Sequence, residues 1–445
     1  MRVVVIGGGP AGIQATRTLK AHNEQIDITM VRPEPYSVIY CALPYVVEDL
    51  VEKEKIRKQD SLVLDVGAKL VKDKVVKVDF DKKSVFTENN GSFEYDKLII
   101  ATGASPFVPP IKGNHLENIA TVKTESDLEQ ILGCINSGAK KAVVVGAGNI
   151  GIEMAVALFR KGLQTYLVEM QDRVLPNLLD RDMAKMPEEE IREVGVKLLL
   201  NTKVESLDGT KYVEKVNLSN GSNIELGEND LIIFSVGVKA NVEIFKDTAL
   251  KIDNFGIVVN EKMETNIKDV YAAGDVASFV SYIDKKPIGG KLATNAVPMG
   301  KILAYNLLGR DYEYQGFING AITKVEKYRM GGTGFTEEVA KQRGFDTIVG
   351  YGETTTRFPI IPGAKKVKVK LIAEKKTLRI LGAQVVAGEG VPGRIDTVSL
   401  AIQNNNTAMD LFNFSYCAQP FQSFYPANNA IVMAAEDILN KALKD

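Results

Sequence analysis

Apolar residues along this chain fall in short β-branched runs, each followed by a longer stretch with helical spacing. Val3-Val4-Val5-Ile6 and Ala142-Val143-Val144-Val145 are short apolar runs that read as the first strands of two βαβ units. Each opens through a glycine-rich turn into a helical pattern, the second running through Lys161. Residues 26–31 predict a further strand, and residues 95–103 a buried strand ending in the small residues Ala101, Thr102 and Gly103. Residues 123–135 read as a helix and residues 165–169 as a strand ending in Glu169. The run 231–237 repeats the strand-then-glycine pattern at Gly237, and the strand over residues 270–275 stops at Gly274-Asp275. From about Gly320 onward the nucleotide-type pattern ends, and strands at 367–372 and 380–386 precede helices. The alternation predicts an α/β chain with a C-terminal region of different purpose.

The two turns carry the same fingerprint, Gly7-x-Gly9-x-x-Gly12 and Gly146-x-Gly148-x-x-Gly151. The first glycine permits the tight turn, the second lets a pyrophosphate approach the backbone, and the third lets helix and strand pack closely. Phosphate charge then meets free N–H groups at a helix N-terminus. Two fingerprints in matched settings predict two bound dinucleotides. Glu169 ends the strand after the second fingerprint, where a carboxylate grips the ribose hydroxyls of NAD and repels a 2′-phosphate. That favours NADH over NADPH, although Arg173 nearby keeps NADPH open and a solvated strand-end glutamate is the plainer alternative. Asp275 can accept from a ribityl hydroxyl or from local backbone N–H groups, or simply close a turn.

At 445 residues the chain exceeds what one hydrophobic core usually serves. Its net charge is −1 with no basic block, which argues against nucleic acid as the main partner. The lysines Lys365, Lys366, Lys368 and Lys370 alternate along a strand and read as a solvated face. No secretory leader is visible and no apolar stretch reaches the roughly 18 residues that span a bilayer, so the expectation is a soluble, cytoplasmic protein without membrane association. The cysteines Cys41, Cys134 and Cys417 are too few for a disulfide framework and are not in metal-ligand spacing, so no metal is expected. Cys134 falls in a helix pattern and reads as core.

With both fingerprints, the Ala-Thr-Gly strand end, the Gly-Asp strand end and Cys41, the chain resembles the flavin-dependent pyridine nucleotide-disulfide oxidoreductases over essentially its full length. Tyr40-Cys41-Ala42-Leu43-Pro44-Tyr45 is similar to the single-cysteine branch containing coenzyme A-disulfide reductases, NADH oxidases, NADH peroxidases and persulfide reductases. The resemblance implies two Rossmann-like domains, for FAD and NAD, and a C-terminal α+β dimerisation domain. The FAD domain would be discontinuous, at 1–113 and 242–319, with the NAD domain at 114–241 and the dimerisation domain at 320–445. Gly7, Gly9, Pro10, Ala11 and Gly12 would hold the FAD pyrophosphate, Ala101 to Gly103 would line its path, and Gly274, Asp275, Ala293 and Thr294 would complete the site. Gly146, Gly148, Asn149, Ile150, Gly151, Glu153, Glu169 and Gly237 would form the NAD site.

In such an enzyme NADH reduces the flavin, and a single thiol relays two electrons. Cys41 would then act as thiolate, mixed disulfide or sulfenic acid. The resemblance also has departures. NADH oxidases and peroxidases of the branch carry a histidine where Pro10 stands, and the only histidines here, His22 and His115, read as loop residues. Ser37 matches a serine that contacts coenzyme A in the reductases, a candidate ligand here, but Tyr40 replaces the usual asparagine. Of two tyrosines contributed across the dimer, one is replaced around Ile360-Ile361, and Cys417 stands at the second with Tyr416 beside it. Cys417 of one subunit would approach Cys41 of the other, as an intersubunit dithiol or as an inert thiol. Val31 stands where the family has an acid for the FAD ribose, with Glu34 as a substitute. Tyr36, Tyr40, Tyr45 and Tyr416 are candidates for supplying a proton, each equally readable as an aromatic packing residue near a flavin. The leading expectation is an NADH oxidoreductase of a homodimer that reduces a sulfur–sulfur bond in coenzyme A disulfide, a persulfide or a polysulfide through Cys41. Its rivals are an NADH oxidase reducing oxygen to peroxide or water, and a flavin- and NADH-binding sensor with little turnover.

Overall fold

The computed structural model describes residues 1–444 and divides into two compact units. One comprises residues 1–42, 51–107 and 237–317; the other comprises residues 43–50, 108–236 and the described residues from 318 onward. The first unit is built on a five-stranded parallel sheet in the order Val270–Ala272, Lys97–Ile100, Arg2–Ile6, Asp27–Arg32, Lys69–Lys72. Val3, Val4, Val5 and Ile6 are all buried, as their unbroken apolar run requires of a central parallel strand. Ala104–Pro106 pairs antiparallel with Val238–Ala240 as a two-stranded ribbon.

The second unit repeats this plan. Its parallel sheet has the order Ile119–Ala120, Leu231–Phe234, Lys141–Val145, Gln164–Val168, Lys197–Leu199. In both sheets the fingerprint strand has its successor on one side and a much later strand on the other. The C-terminal ends at that change of strand order are where open α/β sheets bind ligands. The expected helix over residues 123–135 is Glu125–Asn136, started by a capping box between Thr124 and Asp127. The same unit carries an antiparallel sheet in the order Ala321–Val325, Tyr328–Gly334, Ile380–Ala387, Lys366–Glu374, Thr347–Thr355, with the helices Val391–Gln403 and Ala430–Ala442. Among the described residues no helix is long and apolar enough to cross a membrane.

Two sequence expectations need correction. Lys370 is not on a solvated face: it is 2 % exposed, with its ammonium 3.1 Å from Asp180, 3.0 Å from Asp182 and 2.8 Å from Glu337. Three carboxylates make burial of the amine tolerable, and their bonds to it outweigh the downward push of burial, so its pKa is raised. His22 is the last residue of the helix Pro10–His22 and not a loop residue; its ring lies edge-on to Tyr305. His115 is exposed in a turn, and Cys134 is half-buried.

Candidate functional site

The first fingerprint closes onto the loop after Lys97–Ile100. Gly7 has a φ of 111°, and a Cβ there would lie 2.1 Å from the Ala101 carbonyl oxygen. A Cβ on Gly12 would lie 2.3 Å from the Gly7 oxygen, so this glycine lets the helix seat on its own turn. Gly9, by contrast, faces open space: a Cβ there meets nothing within 4 Å. Gly9 is the N-cap of Pro10–His22 and offers no side-chain cap, so the first N–H groups stand free of side-chain acceptors. Pro10 at the helix start has no N–H to leave unpaired and Ala11 next to it is buried. The cradle fits a pyrophosphate that approaches the backbone at Gly9.

Other segments of this unit gather around the cradle. The Gly274–Val276 turn packs against both Pro10–His22 and Ala293–Leu307. That closeness needs small residues, because a Cβ on Gly274 would come 2.9 Å from the Ala11 Cβ. Ala293 and Thr294 are exposed at the head of their helix, which also lacks a side-chain cap. The Ala101–Gly103 loop is fixed by Asn241, a residue missed in the sequence. Asn241 donates its side-chain N–H to the Thr102 carbonyl and accepts the Thr102 hydroxyl at its own carbonyl, both at 2.9 Å. Ser37 donates its hydroxyl to the Gly8 carbonyl at 3.0 Å, bracing the fingerprint from the side. Glu34 is exposed, and Val31 is buried in the sheet.

Cys41 lies exposed in the short turn Tyr40–Ala42, directly before the chain leaves this unit at Leu43. Burial pushes the Tyr40 phenol up to about 12, reinforced by the charges of Asp275 and Cys41. Tyr40 therefore gives up its proton less readily than a free phenol, and it lies close enough to Cys41 to feel its charge. The adjacency of Tyr40 to Cys41 is the sequence signal for this pair. Tyr36 is exposed, with Arg57 and Lys72 over its ring.

The second fingerprint has the same mechanics. A Cβ on Gly146 would lie 2.7 Å from the Ser235 carbonyl oxygen, one on Gly151 would lie 1.9 Å from the Gly146 oxygen, and one on Gly148 meets nothing within 4 Å. Ser235 donates its hydroxyl to the carbonyls of Val145 and Gly146, at 3.1 and 3.0 Å, and so pins the turn before Gly237. Asn149 and Ile150 open the helix Asn149–Arg160, half-buried. Glu169 is buried and accepts from the N–H groups of Ala147 at 2.8 Å and Gln171 at 2.9 Å. Arg173 is committed elsewhere, to Asp172 at 2.7 Å, to Glu338 and to the Leu179 carbonyl at 3.0 Å.

Glu153, one turn into that helix, lines a pocket with Tyr45, Glu48, Val156, Arg160, Lys324 and Glu326. Burial pushes its carboxyl above the usual carboxylate range, against hydrogen bonds from Thr323 and Tyr45 and the charge of Lys324. Arg160 pairs with Glu48 and Glu326, and Lys161 with Asp49 at 2.6 Å. These pairs fasten the segment after Cys41 to the second-fingerprint helix. In the C-terminal region Tyr416 donates its hydroxyl to the Pro426 carbonyl at 2.7 Å, with its ring tilted against Phe414 and edge-on to Phe424. Cys417 beside it is exposed, as are Ile360, Phe421 and Tyr425.

Residues 1–300 match the family model described as pyridine nucleotide-disulphide oxidoreductase, and residues 321–427 match that family's dimerisation domain. An NADH oxidase of Methanocaldococcus jannaschii is 34% identical, with 99% of each chain covered. A CoA-dependent NAD(P)H sulfur oxidoreductase of Pyrococcus furiosus is 33% identical over 92% of this chain and 93% of its own. The solved NAD-dependent persulfide reductase of A. fulgidus superposes with a TM-score of 0.94 at 32% identity, covering all of this chain and 84% of that one. The matched dimerisation domain implies a homodimer, and the cradles at the two fingerprints fit the FAD and NAD(P)H that the family binds. This chain belongs to the pyridine nucleotide-disulphide oxidoreductase family, as an FAD-dependent NAD(P)H oxidoreductase of the disulfide reductase and NADH oxidase type.

Proposed function

We propose that this protein uses NADH to reduce a sulfur–sulfur bond through Cys41. The observation that carries the reading is the exposed Cys41 thiol in the short turn Tyr40–Ala42. The Cys41 thiolate attacks the substrate disulfide, releasing one half as a thiolate and keeping the other as a mixed disulfide. Solvent protonates the leaving thiolate. Two electrons and a proton then release the second half as a thiol and return Cys41 to thiolate. FAD, held by Gly7 to Gly12, Ala101 to Gly103, Gly274, Asp275, Ala293 and Thr294, would supply that electron pair after taking it as hydride from NADH. Exposure of Cys417 supports its place as a second thiol across the homodimer. Its thiolate would attack the Cys41 mixed disulfide, releasing the bound half and leaving a Cys41–Cys417 disulfide to be reduced in turn.

The test is anaerobic NADH oxidation with coenzyme A disulfide, polysulfide or no acceptor, beside an aerobic control. Turnover that needs a sulfur acceptor supports the reductase. Turnover only with oxygen supports the second reading, an NADH oxidase, which the Methanocaldococcus relative favours.

NADH is the proposed donor because Glu169 closes the strand after the second fingerprint while Arg173 is already paired. Glu169→Ala is expected to lower kcat/KM for NADH by about tenfold or more, the loss of one charge-assisted hydrogen bond, with little loss for NADPH. Parallel steady-state assays with both nucleotides measure the ratio. A fall of equal size for both would mean that Glu169 only braces the loop at Ala147.

A further inference from the structure

The two units end their second strands on opposite charges. Ile6 pairs with Val31 as Val145 pairs with Val168, and the Gly7 and Gly146 N–H groups donate to the Val31 and Val168 carbonyls, each at 2.8 Å. The register therefore sets Arg32, not Val31, in the place that Glu169 holds in the second unit. Glu169 accepts from the N–H of Ala147, the second residue of its fingerprint. Arg32 lies across Gly8, the second residue of the other: a Cβ on Gly8 would come 2.6 Å from the Arg32 Cδ. One fingerprint has alanine at this point and the other glycine because the arginine stem takes the space.

Arg32 is 2 % exposed, a costly place for a cation. Its Nη2 donates to the Pro35 carbonyl at 3.1 Å and pairs with Asp60, but its Nε has no hydrogen-bond partner. Asp60 is shared with Lys72 at 2.7 Å, and Arg57 stands 4.9 Å from the centre of the neighbouring Tyr36 ring. A buried orphan donor calls for an acceptor.

We propose that Arg32 takes over the ribose contact of the first fingerprint site, donating to the adenosine ribose oxygens of the flavin dinucleotide where Glu169 accepts from the ribose of NADH. The inference rests on FAD occupying the first site. It makes Arg32 a binding residue whose loss loosens the flavin without touching the second fingerprint.

The experiment follows flavin fluorescence after dilution of the purified holoenzyme, a reading independent of turnover. Arg32→Met is expected to speed FAD release by about tenfold or more, while Arg32→Lys, which keeps a donor, recovers most of that loss. Gly8→Ala, whose methyl displaces the arginine stem, is expected to act in the same direction and decides the matter if Arg32→Met does not fold. The control Ala147→Gly is expected to retain FAD as the wild type does. Wild-type release from folded Arg32→Met or from Gly8→Ala, or failure of lysine to restore retention, overturns the assignment. A wild-type protein that purifies without FAD would instead defeat the reading of the first site itself.

Discussion

Cys41→Ser is expected to lower sulfur-acceptor turnover by at least about a thousandfold, because a serine hydroxyl can neither attack a disulfide usefully nor form the mixed disulfide. The side chain is exposed, so the exchange of sulfur for oxygen removes no core packing, and loss of fold is not the expected cause. NADH should still bleach the flavin at close to the wild-type rate, since none of the nucleotide cradle is altered. Anaerobic stopped-flow absorbance separates these two half-reactions directly. Retained flavin reduction with lost sulfur turnover supports the thiol relay and excludes a sensor with little turnover. Undiminished oxygen consumption in the same variant would show that any oxidase activity proceeds without the thiol. Sulfur turnover near wild type would remove Cys41 from the chemistry altogether.

The parallel sheets were legible because each central strand is buried on both faces and so must be apolar without interruption; Val3 to Ile6 and Val143 to Val145 could hardly be anything else. The fingerprints were legible because their glycine spacing is itself local: Gly12 and Gly151 clash within their own turns, although Gly7 and Gly146 clash with the loops after a much later strand. What escaped depends on partners far away along the chain. The carboxylates that bury Lys370 come from Asp180, Asp182 and Glu337, and no spacing within Lys365 to Lys370 signals them. Asn241 belongs to the Ala101–Gly103 loop only through folding. The resemblance put Val31 at the place of the ribose acid, whereas sheet register sets Arg32 in the place that Glu169 holds. A single residue gained or lost in a loop shifts a count along the sequence but leaves strand pairing unchanged. The fastening of Glu48 and Asp49 to Arg160 and Lys161 has the same character, because ion pairs carry no periodicity.

The duplicated architecture makes a reciprocal pair of glycine variants informative. Gly151→Ala would press a methyl to 1.9 Å from the Gly146 oxygen and 2.5 Å from the Ser235 hydroxyl, and Gly12→Ala would press one to 2.3 Å from the Gly7 oxygen. In both, the obstacle includes backbone, which no rotamer change relieves, so helix and turn must part and the cradle must widen. Gly151→Ala is expected to raise the KM for NADH by about tenfold or more while the protein keeps its flavin. Gly12→Ala is expected to do the opposite, purifying with less than about a tenth of the wild-type flavin, since binding lost at the first site is not compensated elsewhere. Flavin absorbance per protein and NADH saturation curves, measured on both variants, are sufficient. If Gly151→Ala lost flavin as readily as Gly12→Ala, the fingerprints would not be separate dinucleotide sites. If Gly151→Ala kept both flavin and wild-type NADH affinity, the second turn would be a packing feature only, and the donor would have to bind by some other route.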